Sequence, residues 1–149
     1  MKLPKTPELT PKELERRIYK ALESTNDLNF LERYALFMGK AQLIELALKR
    51  LLIEHFGHSE ESLERCTLGG TIRRLEKVGL RGDFISILKE LNEYRNEMAH
   101  SFLLDDAIIK SLLRGKTLRG FERTLICALY EVERVTQVFI FLSKHKILV

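Results

Sequence analysis

From Asp27 to Phe56 the chain runs for thirty residues in which apolar side chains return every third or fourth position. Phe30, Leu31, Tyr34, Ala35, Met38, Leu43, Leu46, Ala47, Leu51 and Ile53 follow the 3.6-residue period of an α-helix, not the two-residue period of a strand. The stripe is broader than one neighbouring helix would cover, which places this helix among several partners. Asp27 is positioned to cap its first turn, and Gly57 ends it.

The rest of the chain repeats the helical pattern. Pro4 and Pro7 among lysines mark residues 1–9 as an extended leader. Thr10-Pro11-Lys12-Glu13 supplies an N-cap, a proline at the first helical position and a capping-box glutamate. The helix it opens carries Leu14, Ile18 and Leu22 on one face and ends near Ser24-Thr25-Asn26. Residues 58–66 are polar, with room for one helical turn. Thr67 caps a short helix from Leu68 to Val78, its inner side made by Ile72, Leu75 and Val78, with Gly79 closing it.

Asp83 starts a longer helix that turns Phe84, Ile87, Leu88 and Leu91 inward and runs to about His100 or Ser101. Residues 103–116 hold a short helix around Ile108 to Leu113 and the basic turn Arg114-Gly115-Lys116. The last helix, 117–144, presents Leu125, Leu129, Val132, Val135, Val138, Phe139, Phe141 and Leu142. No segment sustains apolar–polar alternation. The expectation is an all-α, up-and-down bundle of four to five main helices, one domain over residues 10–149.

A hydrophobic fraction of 45% and a charged fraction of 31% are those of a globular protein and exclude a disordered one. The net charge of +4 permits binding to a polyanion without requiring it. Cys66 and Cys127 stand far apart, with no Cys/His cluster at zinc spacing, so no metal and no cofactor are expected. Cys127, on an apolar helix face, reads as a small buried hydrophobe. The N-terminus lacks the apolar stretch of a signal peptide, and no run is long enough to span a membrane. A reduced cytoplasmic protein without membrane contact follows as the expectation.

The chemistry concentrates in Arg95-Asn96-Glu97-Met98-Ala99-His100. A permanent cation that binds phosphate beside an imidazole that moves protons near neutral pH is the minimum for metal-free RNA cleavage. His100 would take the proton from a ribose 2′-hydroxyl, Arg95 would hold the phosphate oxygens, and Asn96 would position either group. Arg95 and His100 diverge by about 140° on a regular helix, so one helix does not clamp a phosphate between them. Two copies meeting across a two-fold axis would supply the missing half of the cleft.

This R-x4-H arrangement, with Asn directly after the Arg, Ala99 before the His and Ser101 after it, resembles the signature of the HEPN superfamily over roughly residues 28–144. Leu68-Gly69-Gly70-Thr71-Ile72-Arg73-Arg74-Leu75 is similar to the short helix that often precedes the motif helix, particularly in relatives of the mannitol operon repressor. The resemblance implies a helical bundle, a homodimer packed through the motif helices, and in many members a metal-independent ribonuclease of toxin–antitoxin or phage-defence systems, with a possible antitoxin partner. It equally implies, through the repressor relatives, a non-catalytic regulatory module. Toxins paired with a nucleotidyltransferase carry a Tyr two residues after the His; Phe102 stands there, so that regulation is not expected.

Arg73, Arg74, Lys77 and Arg81, and Arg114, Lys116, Arg119 and Arg123, are candidates to guide an RNA backbone, and Tyr94 to stack on a base. A solvated face and a helix-interface tyrosine are the plain alternatives. His55 and His58 around Gly57 find no third metal ligand and read as loop residues; His145 falls in an exposed tail. Gly69-Gly70 has no phosphate-loop context and reads as close helix packing.

Overall fold

A computed structural model describes residues 7–104 and 119–149, the side chains of 101–104 and 119 excepted. The described residues are helical throughout, without a strand. The elements are α1 (Pro11–Leu22), a 3₁₀ turn (Glu23–Thr25), α2 (Phe30–Phe56), α3 (Glu60–Glu64), α4 (Leu68–Lys77), α5 (Gly82–Leu104) and α6 (Arg119–Lys144). The all-α expectation holds. The leader residues 1–6, the short helix around Ile108 to Leu113 and the turn with Arg114 and Lys116 lie outside the described residues.

Helix starts follow local chemistry. Thr10 Oγ1 accepts the Glu13 N–H at 3.2 Å with proline at the first position, as its sequence predicts. The cap of α2, however, is Asn29 and not Asp27. Asn29 Oδ1 accepts the Glu32 N–H at 2.9 Å while Glu32 Oε1 accepts the Asn29 N–H at 3.1 Å, a closed capping box. The acid three residues on decides the start, because only Asn29 has a glutamate at that offset able to return the bond. Thr67 caps α4 through the Gly70 N–H, and Gly57 and Gly79 close α2 and α4 at φ 71° and 89°. The α5 helix begins at Gly82, one residue before Asp83, and continues past His100 to Leu104.

The α6 helix packs against α1, α2 and α5, and α4 lies between α2 and α5. Leu125, Ala128, Leu129, Val132, Val135 and Leu142 form its buried side, facing Ile18 of α1, Phe37, Ile44, Leu48 and Leu52 of α2, and Phe84, Leu88 and Leu91 of α5. Glu133 is buried on this side and is met by Lys40 of α2. Burial pushes the Lys40 ammonium below its usual range. Arg81, at the turn into α5, holds the C-terminal tail: its N–H donates to Leu148 O at 3.0 Å and its Nη1 to Ile147 O at 3.3 Å. No described helix is long and apolar enough to cross a membrane.

Several apolar expectations are overturned. Leu31, Leu43 and Leu46 of the α2 stripe are exposed, because α4, α5 and α6 cover only part of the helix circumference. Cys127 is exposed on α6, displaced from the buried side by one helical position relative to Ala128. His145 is half-buried, its ring 4.5 Å from that of Phe141. His55 belongs to the last turn of α2, not to the loop.

The capping assignment has a direct consequence. Asn29→Ala is expected to lower unfolding stability in urea by about 1 kcal/mol, whereas Asp27→Ala leaves it within about 0.5 kcal/mol. The reverse order would return the helix start to Asp27.

Candidate functional site

The motif occupies the last turns of α5, where the buried face of the helix runs out. Leu88, Leu91 and Met98 define its inner sector, and at about 100° per residue Arg95 falls within that sector. Arg95 is accordingly half-buried. Asn96 is turned about 100° from it and is half-buried; His100, about 140° away, is exposed. The side chains of Arg95 and Asn96 touch, Nη1 donating to Oδ1 at a long 3.4 Å. Arg95 forms no ion pair with a described carboxylate: Glu93 and Glu97 of its own helix are exposed and leave it alone. Asp105, the next carboxylate along the chain, lies outside the described residues.

What faces Arg95 is Tyr34 of α2. The Tyr34 hydroxyl donates to the Met98 carbonyl at 3.5 Å, a distance that reports proximity more than strength. Burial pushes the phenol above its usual 10, and the Arg95 guanidinium pulls it partway back. The guanidinium therefore touches Asn96 and lies close enough to the Tyr34 phenol for its charge to be felt there. A cation so held is pre-oriented for an anion and loses little rotamer freedom when one arrives.

Asn92, one turn before Asn96, completes a polar row Asn92–Asn96–His100 along α5. A Cβ at Gly69 would lie 3.0 Å from Asn92 Nδ2, and one at Gly70 would lie 2.7 Å from Cys66 Sγ. Gly69 thus lets the start of α4 approach α5 closely, the helix packing expected of the pair, whereas Gly70 makes room for Cys66 in the turn that precedes α4. Neither Tyr34 nor Asn92 was singled out from sequence for this site. Their signals were present: Tyr34 is the only hydroxyl on the apolar stripe of α2, and Asn92 keeps the four-residue step of Asn96 and His100.

Among the described residues, Arg73, Arg74, Lys77 and Arg81 do not converge on the motif. From the Gly69–Asn92 contact, α4 runs back along α5, as the Lys89–Glu76 pair at 3.1 Å marks. Arg73 and Lys77 are exposed along this stretch, toward the N-terminal half of α5. Arg74 is bound to Ser62, Nη1 to Oγ at 3.0 Å and Nη2 to the carbonyl at 2.9 Å, and anchors α3. Arg81 pairs with Asp83 at 2.7 Å. Tyr94 is half-buried and faces α6, where burial and the nearby Cys127 and Glu131 raise its phenol. Arg119 begins α6; its side chain, Arg114 and Lys116 lie outside the description.

A cavity of about 750 Å³ lies at the other end of α2, walled by Ala47, Leu51, Phe56, Phe139 and Leu148, and no motif residue lines it. Among the described residues no group of three or more His, Cys, Asp or Glu side chains gathers as metal ligands. No protein-family model, curated protein or solved structure matches this chain.

The coupling between Tyr34 and Arg95 is measurable. Arg95→Gln removes the cation that stabilises the phenolate, so the Tyr34 titration, followed by NMR of ring-labelled tyrosine, is expected to move to still higher pH. Arg95→Lys should move it less. An unchanged or lowered midpoint in Arg95→Gln would show that the two groups do not sense one another.

Proposed function

We propose that this chain is a metal-independent endoribonuclease acting at Arg95, Asn96 and His100, as a homodimer joined through α5. The observation that supports it best is the division of labour near the end of that helix: a half-buried guanidinium in touch with Asn96, and an imidazole left open to solvent. An anchored cation suits phosphate binding, and an accessible imidazole suits proton transfer from a substrate that approaches from outside. Their divergence of about 140° leaves each copy with an incomplete cleft. A second copy would bring the acid that the first lacks.

In that arrangement His100 removes the 2′-hydroxyl proton as O2′ attacks the adjacent phosphorus. Arg95 stabilises the charge on the non-bridging oxygens as the P–O5′ bond breaks. The imidazolium of the second copy gives its proton to the 5′-oxygen. The products are a 2′,3′-cyclic phosphate and a 5′-hydroxyl, and DNA is spared for want of the 2′-hydroxyl. The similarity of Arg95-Asn96-Glu97-Met98-Ala99-His100 to HEPN motifs gives the reading its biological setting: a cytoplasmic toxin or defence effector, with an antitoxin protein as its possible regulator.

One observation favours a second reading, a non-catalytic regulatory module of the mannitol-repressor kind. Arg95 lies in the inner sector of α5 and is half-buried there, as a structural group would be. On that reading the motif residues serve a dimer interface and fix architecture, α5 running a full turn beyond His100.

Wild type and His100→Ala are to be incubated with end-labelled RNAs in EDTA, and the product ends identified. Cleavage by wild type that leaves cyclic phosphates, reduced about a hundredfold or more in the variant, is the expected result. Folded wild type that leaves structured and unstructured RNAs intact would transfer the assignment to the regulatory module.

A further inference from the structure

The exposed side of α2 has a pattern that its own bundle does not use. Leu43 is 65% exposed, Leu46 50% exposed, and Leu36 half-exposed. Between them stands Gly39, exposed, with nothing within 4 Å of a Cβ built there. A glycine inside a long helix weakens it relative to alanine. Gly69 and Gly70, by contrast, stand against close neighbours. Among the described residues of one copy, nothing comes near enough to Gly39 to need its missing side chain.

The spacing identifies the kind of neighbour. Glu32, Leu36, Gly39, Leu43, Leu46 and Arg50 are separated by four, three, four, three and four residues. That is the 3.5-residue alternation of a coiled-coil seam. It is also palindromic about position 41. An antiparallel copy of the same helix, crossing there, places Gly39 against Leu43, Leu36 against Leu46 and Glu32 against Arg50, each pair occurring twice. Every apolar layer is filled, with a leucine seated over the one residue that leaves room for it. Both ends of the seam carry opposite charges. A parallel pairing would instead set Glu32 on Glu32 and Arg50 on Arg50.

We infer that the outer face of α2 docks a second copy of this chain, antiparallel, across a two-fold axis near Ala41. The contact is isologous and closed. Arg50, which now holds Glu54 of its own helix at 3.1 Å, is exposed and free to turn to the partner's carboxylate. Glu32 uses Oε1 for the Asn29 cap, which leaves its second oxygen for a guanidinium. Lys40 and Tyr34 point away from the seam, toward α6 and α5. Pairing through α2 therefore leaves the Arg95–His100 end uncovered. The inference does not rest on the ribonuclease reading, and the α2 and α5 surfaces are separate enough to be tested apart.

The test is the association constant of the intact chain, by sedimentation over a concentration series, with helix content followed by circular dichroism. Leu43→Glu, at an exposed position, should keep the helix content and weaken association about thirty-fold or more. Glu32→Arg and Arg50→Glu should each weaken it, and the double exchange should restore it. The restoration is a readout that a damaged helix cap would not give. A wild type monomeric at every concentration overturns the inference. So does a dimer indifferent to Leu43→Glu but broken by Asn96→Arg on α5, which would assign self-association to the motif helix. Failure of the double exchange to restore association overturns the antiparallel seam.

Discussion

The contact between Lys40 and Glu133 fixes how α2 is turned, and most of what is distinctive about this bundle depends on that rotation. A carboxylate buried to the extent of Glu133 is costly to keep charged without a partner, and Lys40 supplies one across the α2–α6 interface. Such a pair adds little net stability over two well-packed apolar residues, but removing one member costs about 3–5 kcal/mol. Its effect is on geometry. Apolar contacts between helices can absorb a small rotation by repacking, whereas a buried charge cannot leave its partner without a large cost. With Lys40 held toward α6, Phe37, Ile44 and Leu48 enter the core. Gly39, Leu43 and Leu46 are left outside, with Leu36 at the boundary.

The same rotation brings Tyr34 to the end of α5. The apolar side of α5 carries the helix inward as far as Met98, and Arg95 is drawn into that sector by its place in the helical period. A guanidinium there needs a polar neighbour, and Asn96 is one, with the Tyr34 phenol near enough to feel its charge. His100 falls beyond the buried arc and meets solvent. The half-buried cation and the exposed imidazole are thus two outcomes of one geometric fact: five residues are not a whole number of turns. Arg74 illustrates the opposite fate of a basic side chain. Once it binds Ser62 at two points it secures the α3 turn and is no longer available as a loose phosphate contact.

Much of the fold was legible in the sequence because its signals are local. Thr10 with Pro11 and Glu13, Thr67, Gly57 and Gly79 each mark a helix end through bonds made within a few residues. Asp27 misled because an acid before a helix satisfies the rule for a first residue. The reciprocal bond from Glu32 to Asn29, three residues apart, is what selects the cap. Exposure of Leu43, Leu46 and Cys127 was not legible. Periodicity tells which residues share a face, but which face is covered depends on where α4, α5 and α6 lie. The motif itself could be found by spacing, whereas its setting could not: Tyr34 stands 61 positions before Arg95 in the chain, and only the fold joins them.

Gly39 gives the sharpest local conflict in this chain. Relative to alanine it lowers the stability of α2 by about 1 kcal/mol, and among the described residues no close approach by another part of the chain offsets that loss. Two solvent-facing leucines beside it add an apolar surface that a helix of this length, well capped by Asn29 and Gly57, has no need to expose. Local conflicts of this kind, in a sequence otherwise consistent from caps to core, mark places where another requirement prevailed. A closed two-fold contact accounts for the glycine, the leucines and the opposite charges of Glu32 and Arg50 together, because a palindromic seam needs all of them at their present spacing. An unrelated apolar partner would account for the leucines alone.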